Sequence, residues 1–227
     1  VADGPAAAIL LAAGMGARMS ARVPKALVEV GGRSLIRWAV QAVEACEDIA
    51  GFVVAIPAED PAGVAEAGRS PKLLAAVAGG ATRQASVWEA LQAVPASFGR
   101  VVCHDVARPF ARPELFAAVL AALEGADGAI PVVPSVDTLK RVDGGRVTET
   151  IPRGEVFVAQ TPQAFRREAL LEAHRRALAD GAEGTDDAAL LERLGMMVAA
   201  VPGDPDNFKV THAADLRRAE ALASARD

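Results

Sequence analysis

The chain has 227 residues, 52% of them apolar and 23% charged, with a formal net charge of −5. That balance excludes a disordered polymer. It also argues against nucleic acid or an anionic membrane surface as a partner, while leaving room for a small anion held by a local cluster of cations. With 7 Phe, 2 Trp and no Tyr, the core is expected to be aliphatic.

In chain order, 6–13 is apolar throughout, as suits a strand buried on both faces. The N-terminal run is too short to span a bilayer and no basic segment precedes it, so no signal peptide is expected. Residues 35–46 place Leu35, Ile36, Ala39, Val40 and Val43 at helical spacing. Strands are predicted at 52–56 and 73–77, then a helix over 82–94 with Ala85, Trp88 and Leu91 inward. A strand at 100–103 ends in His104-Asp105, a helix covers 114–123, and a fifth strand covers 128–133. The alternation predicts an α/β fold with a mostly parallel sheet and helices on both faces. Such sheets bind ligands beyond the carboxyl ends of their strands.

The rhythm then changes. Residues 136–153 flank Asp143-Gly144-Gly145 with β-formers and read as a hairpin, either meeting a partner chain or lying plainly on the surface. A strand (156–160) and helices over 166–178 and 186–194 follow, the last with Thr185 as N-cap and Gly195 as stop. His174, on a charged helix, is expected to be exposed. A strand (197–201) and a helix (213–222) capped by Thr211 end the chain. Cys46 and Cys103, without CxxC spacing, read as buried free thiols of a reducing cytoplasm.

Three loops carry candidate chemistry. After the first strand, Gly14 and Gly16 fit a dinucleotide fingerprint, but Met19 stands at its third glycine and Pro24 stops a helix. What remains is a phosphate site: glycines that let backbone N–H groups approach an anion, the fork of Arg18 and the point charge of Lys25. In "VVCHDVARPF", Asp105 follows a buried strand, where it can help hold Mg²⁺, and Arg108 can face an anion. His104 reads as structural. In "VAGGATRQASV", Gly79-Gly80 allows backbone to approach a flat base, with Ser86 as a hydrogen-bonding partner. Lys209 alone reads as solvated surface. No G-x-S-x-G elbow and no Cys/His metal spacing occurs.

The segments "AAGMGARM", "PKAL", "GGATRQASV", "HDVARP", "DTLKRV", "AQTPQAF", "TDDAALLE" and "NFKVT", in this order, resemble the 2-C-methyl-D-erythritol 4-phosphate cytidylyltransferases of the non-mevalonate isoprenoid pathway. The resemblance implies a single Rossmann-like nucleotidyltransferase domain over 1–227, with 136–158 as a β-arm that joins two subunits into a homodimer. It implies transfer of CMP from CTP to methylerythritol phosphate with Mg²⁺. By motif position, Arg18 and Lys25 would stabilise the transition state, and Arg153 (from the partner's arm) and Lys209 would position the acceptor phosphate. Asp105, Arg108 and Thr138 would line the acceptor and metal site. Ala12, Ala13, Gly14, Met15, Gly16, Gly80, Ala81, Ser86 and Val106 would hold CTP. The chain departs from the family pattern at Ala81, where an acidic residue is frequent, at Val106, where alanine is usual, and at Pro152, where Asp is usual. The alternative acceptor is ribitol 5-phosphate or another polyol or sugar phosphate.

Overall fold

A computed structural model describes residues 4–14 and 24–225. The elements run β1 (Ala6–Leu11), β2 (Glu29–Val30), β3 (Arg33–Ser34), α1 (Leu35–Ala45), β4 (Ile49–Ile56), α2 (Pro61–Ala67), β5 (Leu73–Ala78) and α3 (Arg83–Ala93). They continue with β6 (Arg100–Asp105), α4 (Pro113–Ala121), β7 (Gly128–Pro134), β8 (Leu139–Asp143), β9 (Arg146–Ile151), β10 (Phe157–Ala159) and β11 (Gln163–Arg166). Last come α5 (Arg167–Asp180), α6 (Asp187–Glu192), β12 (Val198–Pro202) and α7 (Ala213–Ser224).

β1 lies between β4 and β6, parallel to both, and β5 adds parallel to β4. Alternate residues of β1 serve opposite faces, as the two-residue period of a strand requires. Ala6, Ala8 and Leu10 pack with Ile36, Val40, Phe116 and Val119 of α1 and α4. Ala7 and Ile9 pack with Val87, Leu91, Leu170 and Leu190 of α3, α5 and α6. The chain leaves β1 toward β4 and returns to β6 on the other side, so its connections diverge at β1. That divergence is the topological switch point where such sheets open a crevice.

β11 enters antiparallel between β6 and β7, a strand the sequence reading did not anticipate. β10 pairs with the later half of β7, and β12 lies parallel along β7 as well. The hairpin of β8 and β9 is present where expected, with Gly144 and Gly145 at positive φ in its turn, as a tight hairpin loop demands. It pairs with no strand of the main sheet, and its residues are almost all exposed.

Several local expectations need correction. Asp186, rather than Thr185, caps α6 by accepting from Ala189 N–H, because it is the residue directly before the first turn. The N-cap of α7 is His212 and not Thr211: Asp215 accepts from the backbone N–H groups of both Thr211 and His212. The buried stripe of α3 is Ser86, Val87, Ala90 and Leu91; Leu91 faces inward as expected, while Ala85 and Trp88 are only half-buried. His174 is fully buried, not exposed. Cys46 and Cys103 are buried free thiols. No helix among the described residues is long and apolar enough to cross a membrane.

Candidate active site

The carboxyl ends of β1, β4, β5 and β6 open into a cleft of about 720 Å³. Ala12, Ala13 and Gly14 form the β1 side, and Gly79, Gly80 and Ala81 the β5 side. Ser86, Asp105, Val106, Lys25, Arg83 and Lys209 also line the cleft. Pro24 is extended (φ −50°, ψ 139°) and delivers Lys25 into a single 3₁₀ turn over Lys25–Leu27. Met15, Gly16 and Arg18 lie outside the described residues.

The glycine pair serves packing more directly than the sequence reading allowed. A Cβ on Gly79 would collide with Cβ of Ala13, and one on Gly80 with Cβ of Ala85. The β5 loop therefore lies tightly against the β1 loop and the first turn of α3. Among the described residues, nothing lies within 4 Å of a Cβ placed on Gly14. Ser86 is buried and its hydroxyl donates to the Thr82 carbonyl at 2.9 Å, which leaves its oxygen as an acceptor toward the cleft. Thr82 caps α3 by accepting from Ala85 N–H at 3.1 Å. The Val106 N–H donates to the Leu11 carbonyl at 3.3 Å and is used inside the fold.

A second, smaller cavity of about 170 Å³ shares Arg83, Asp105 and Lys209 with the first and adds Arg108, Thr161 and Thr185. The junction is an ionic network. Asp105, at the end of β6, takes Arg83 Nε on Oδ1 at 3.1 Å and Lys209 Nζ on Oδ2 at 2.7 Å. Burial alone would raise its carboxyl, but Arg83 and then Lys209 outweigh burial and hold it well below the usual carboxylate range. Burial pushes the Arg108 guanidinium down, against the opposing pull of Asp105.

Backbone and neutral side chains fix this junction. Asp105 N–H donates to Thr161 Oγ1 at 3.0 Å, so the Thr161 hydroxyl proton is available to His104 Nδ1 at 3.1 Å. His104 then accepts at Nδ1 and carries its hydrogen on Nε2. Its full burial lowers its pKa to about 4, so it is a neutral structural residue, as expected. The fully buried Asn207 side chain donates to the Thr161 carbonyl at 2.9 Å, and the Asn207 backbone carbonyl accepts from Arg108 Nη1 at 2.8 Å. The loop carrying Lys209 is thereby locked to the loop carrying Thr161, which is why a lysine that reads as solvated surface lines both cavities.

Thr138 and Arg153 lie on or beside the hairpin, and neither is among the residues that line the two cavities. Arg153 Nη1 donates to the Val136 carbonyl at 3.2 Å. Arg83, Thr161, Asn207 and Asp187 were not singled out from the sequence. Each lies inside one of the family segments quoted above, and Arg83 also stands directly after the glycine loop, at the start of a capped helix.

The family model for IspD, 2-C-methyl-D-erythritol 4-phosphate cytidylyltransferase, matches residues 6–225. The chain is 46% identical to the 2-C-methyl-D-erythritol 4-phosphate cytidylyltransferase of Deinococcus radiodurans, covering 95% of this chain and 88% of that protein. It is 47% identical to a bifunctional IspD/IspF enzyme of Clavibacter michiganensis, of whose length it spans 55%. Among solved structures, the 2-C-methyl-D-erythritol 4-phosphate cytidylyltransferase of Thermus thermophilus superposes with a TM-score of 0.80 at 40% identity, covering 96% of this chain and 98% of that one. The 4-diphosphocytidyl-2C-methyl-D-erythritol synthase of Anaerococcus prevotii superposes with a TM-score of 0.88 at 30% identity, covering 98% and 97%. These relatives do not favour the ribitol-phosphate alternative. The chain belongs to the IspD family of 2-C-methyl-D-erythritol 4-phosphate cytidylyltransferases and is a nucleotidyltransferase enzyme.

Proposed function

We propose that the large cleft holds CTP, that the small cavity takes the phosphate of 2-C-methyl-D-erythritol 4-phosphate, and that the two meet across Asp105 and Lys209. The supporting observation is that both cavities share Arg83, Asp105 and Lys209, while Lys25 stands on the nucleotide side alone. An acceptor oxygen in one and a triphosphate in the other are then brought together at a cationic boundary.

The nucleophile is a phosphate monoester oxygen. Its second pKa is ~6, so it is ionised at neutral pH and no general base is required. An acceptor oxygen forms a bond to the α-phosphorus of CTP as the bond to the β-phosphate breaks, giving 4-diphosphocytidyl-2-C-methyl-D-erythritol and pyrophosphate. The obstacle is an anion attacking an anion. Positioning and charge neutralisation are therefore the catalytic work. Lys25 and Arg18 serve the triphosphate, and Lys209 and Arg108 the acceptor phosphate. Ala12, Ala13, Gly14, Gly80, Ala81, Ser86 and Val106 form the nucleotide wall.

Among the described residues, Asp105 is the one acidic residue on the nucleotide cleft, and no cluster of three or more acidic, His or Cys ligands occurs. That donor set suits Mg²⁺, which is held through one or two carboxylates plus substrate phosphates and water. When bound it supplies charge neutralisation on the triphosphate, with Asp105 as its protein ligand.

The hairpin and β10 expose Val142, Val147, Phe157 and Val158, each at least half accessible. A second copy of the chain is the partner we assign to this surface, and it would bring Thr138 and Arg153 to the acceptor cavity of its neighbour. The buried free thiols accord with a cytoplasmic enzyme.

Pyrophosphate release over a grid of four nucleoside triphosphates against methylerythritol phosphate, ribitol 5-phosphate and a sugar 1-phosphate, with and without a chelator, tests the reading. Turnover confined to CTP and methylerythritol phosphate, and lost with chelator, is expected. Faster turnover with ribitol 5-phosphate would overturn the acceptor assignment.

A further inference from the structure

The ion network does not end at Asp105. Arg83 uses Nε for Asp105 and Nη1 for Asp187 of α6, at 3.1 and 2.8 Å. Asp187 is 1% exposed, and its other oxygen meets Nε2 of the fully buried His174 on α5 at 3.1 Å. Burial works to raise the Asp187 carboxyl, but Arg83 and His174 beside it lower it, so it is ionised. A carboxylate only accepts, so His174 carries a hydrogen on Nε2 and donates it. His174 stacks on Trp88 of α3, with ring centroids 6.3 Å apart and 19° between planes.

The carboxylate torsion of Asp105 is a broad one, free to rotate unless something holds it. Arg83 holds Oδ1 and so presents Oδ2 to Lys209. Arg83 is fixed in turn by Asp187, and Asp187 by His174. No member of the outer pair lines the nucleotide cleft. We infer that Asp187 and His174 are positioning residues, which act through Arg83 to set the orientation of Asp105 and the place of Lys209 for the chemical step. The inference rests on the cytidylyl-transfer reading of the junction.

The chemistry of each link makes it testable. Two donors converge on Asp187; Asp187→Asn removes the anion that faces Arg83 and leaves one acceptor oxygen, so both contacts survive only if the His174 ring moves its hydrogen to Nδ1 and accepts from the amide. His174→Leu removes the donor while keeping bulk. His174→Gln restores an N–H at the position of Nε2. Arg83 itself is a poor target, because its loss leaves buried carboxylates unpaired and threatens the fold.

The experiment measures steady-state pyrophosphate release by the full chain with CTP and methylerythritol phosphate, alongside thermal melting, for Asp187→Asn, His174→Leu, His174→Gln and the double variant His174→Leu/Asp187→Asn. Expected is a fall in kcat of about tenfold for Asp187→Asn and His174→Leu, by analogy with disturbing one preorganised donor. KM for CTP should stay within about twofold, since Ala12, Ala13, Gly14, Gly80 and Ala81, residues assigned to the nucleotide, carry no bond to Arg83, Asp187 or His174 among those described. His174→Gln should recover most of the loss, and the double variant should be no worse than Asp187→Asn alone, because both act through one residue. Three results overturn the inference: kcat of His174→Leu equal to the parent's, equal loss in His174→Gln and His174→Leu, or losses that multiply in the double variant. If Asp187→Asn does not fold, the two His174 variants decide the matter alone. Absence of turnover in the parent chain would sink the functional reading instead, which keeps the two failures apart.

Discussion

Replacing Lys209 with Met removes one charge at the boundary of the two cavities and keeps most of the length of the side chain. The ammonium sits 2.7 Å from Asp105 Oδ2 and is 41% exposed. A unit charge about 4 Å from a phosphate oxygen is worth about 1 kcal/mol in water and about 4 kcal/mol at the effective dielectric of a protein surface. With two-fifths of the lysine in solvent, about 2–3 kcal/mol is the reasonable share. Each 1.36 kcal/mol is tenfold in rate, so kcat/KM for methylerythritol phosphate should fall roughly 30- to 150-fold. The fold should hardly notice. Asp105 keeps Arg83 at 3.1 Å, and a partly exposed ion pair contributes at most about 1 kcal/mol, or about 2–4 °C in Tm for a chain of this size. Pyrophosphate release with the acceptor varied at saturating CTP, together with thermal melting, reads both quantities. A folded Lys209→Met protein within about threefold of the parent in kcat/KM would refute the electrostatic argument. A Tm loss of about 10 °C or more would refute its other half, by making Lys209 a structural ion-pair partner.

Lys25→Met should cost about 10²–10³ in kcat, as for loss of one preorganised donor, and a folded variant with near-normal turnover contradicts its role. Arg153→Ala should impair use of methylerythritol phosphate while CTP binding, read by calorimetry, persists; equal loss of CTP affinity counts against the assignment. Mixing Arg153→Ala chains with Lys25→Met chains should restore part of the activity, since one site of each mixed dimer regains both residues; no recovery despite confirmed exchange places the arm's action within its own subunit. His104 gives a pH test. Its folded pKa of about 4 lies below the ~6.5 of an unfolded histidine, so the unfolded chain binds the proton first and stability is lost as pH falls from about 6.5 to about 4, by about 3 kcal/mol. Asp105 and Asp187, both held low, add to this only below about 4. Melting between about pH 7.5 and 4.5 should therefore be steeper for the parent than for His104→Asn, which keeps an acceptor toward Thr161; parallel slopes would remove His104 as the cause.

The alternation of apolar runs and amphipathic segments was enough to read the parallel sheet, because strands covered on both faces leave an uninterrupted apolar signature. The cleft at the ends of β1, β5 and β6 followed from that. β11 was not legible: "QAFR" is short, follows a proline and has no periodicity, and it is a strand only because β6 and β7 offer it edges on both sides. His174 misled for a related reason. Its neighbours Arg175 and Arg176 are exposed on the same helix, while Asp187, the partner that lets an imidazole be buried, arrives 13 residues later on another. Lys209 shows the limit from the other side. Its place at the junction of the two cavities comes from Asn207 tying its loop to Thr161, a contact between segments 46 residues apart.

The tight fit of Gly79 against Ala13 and of Gly80 against Ala85 bears on how this cleft can change over time. Where loops touch this closely, the wall is shaped by conformation, and the side chains beside it are left free to drift. Ala81 and Val106 sit on that wall, one exposed and one with its N–H already engaged. A saturation library across 79–81 should accordingly show two intolerant positions followed by a permissive one. The grip on the nucleotide would then be a property of the path of the chain, inherited even as the residues along it are replaced.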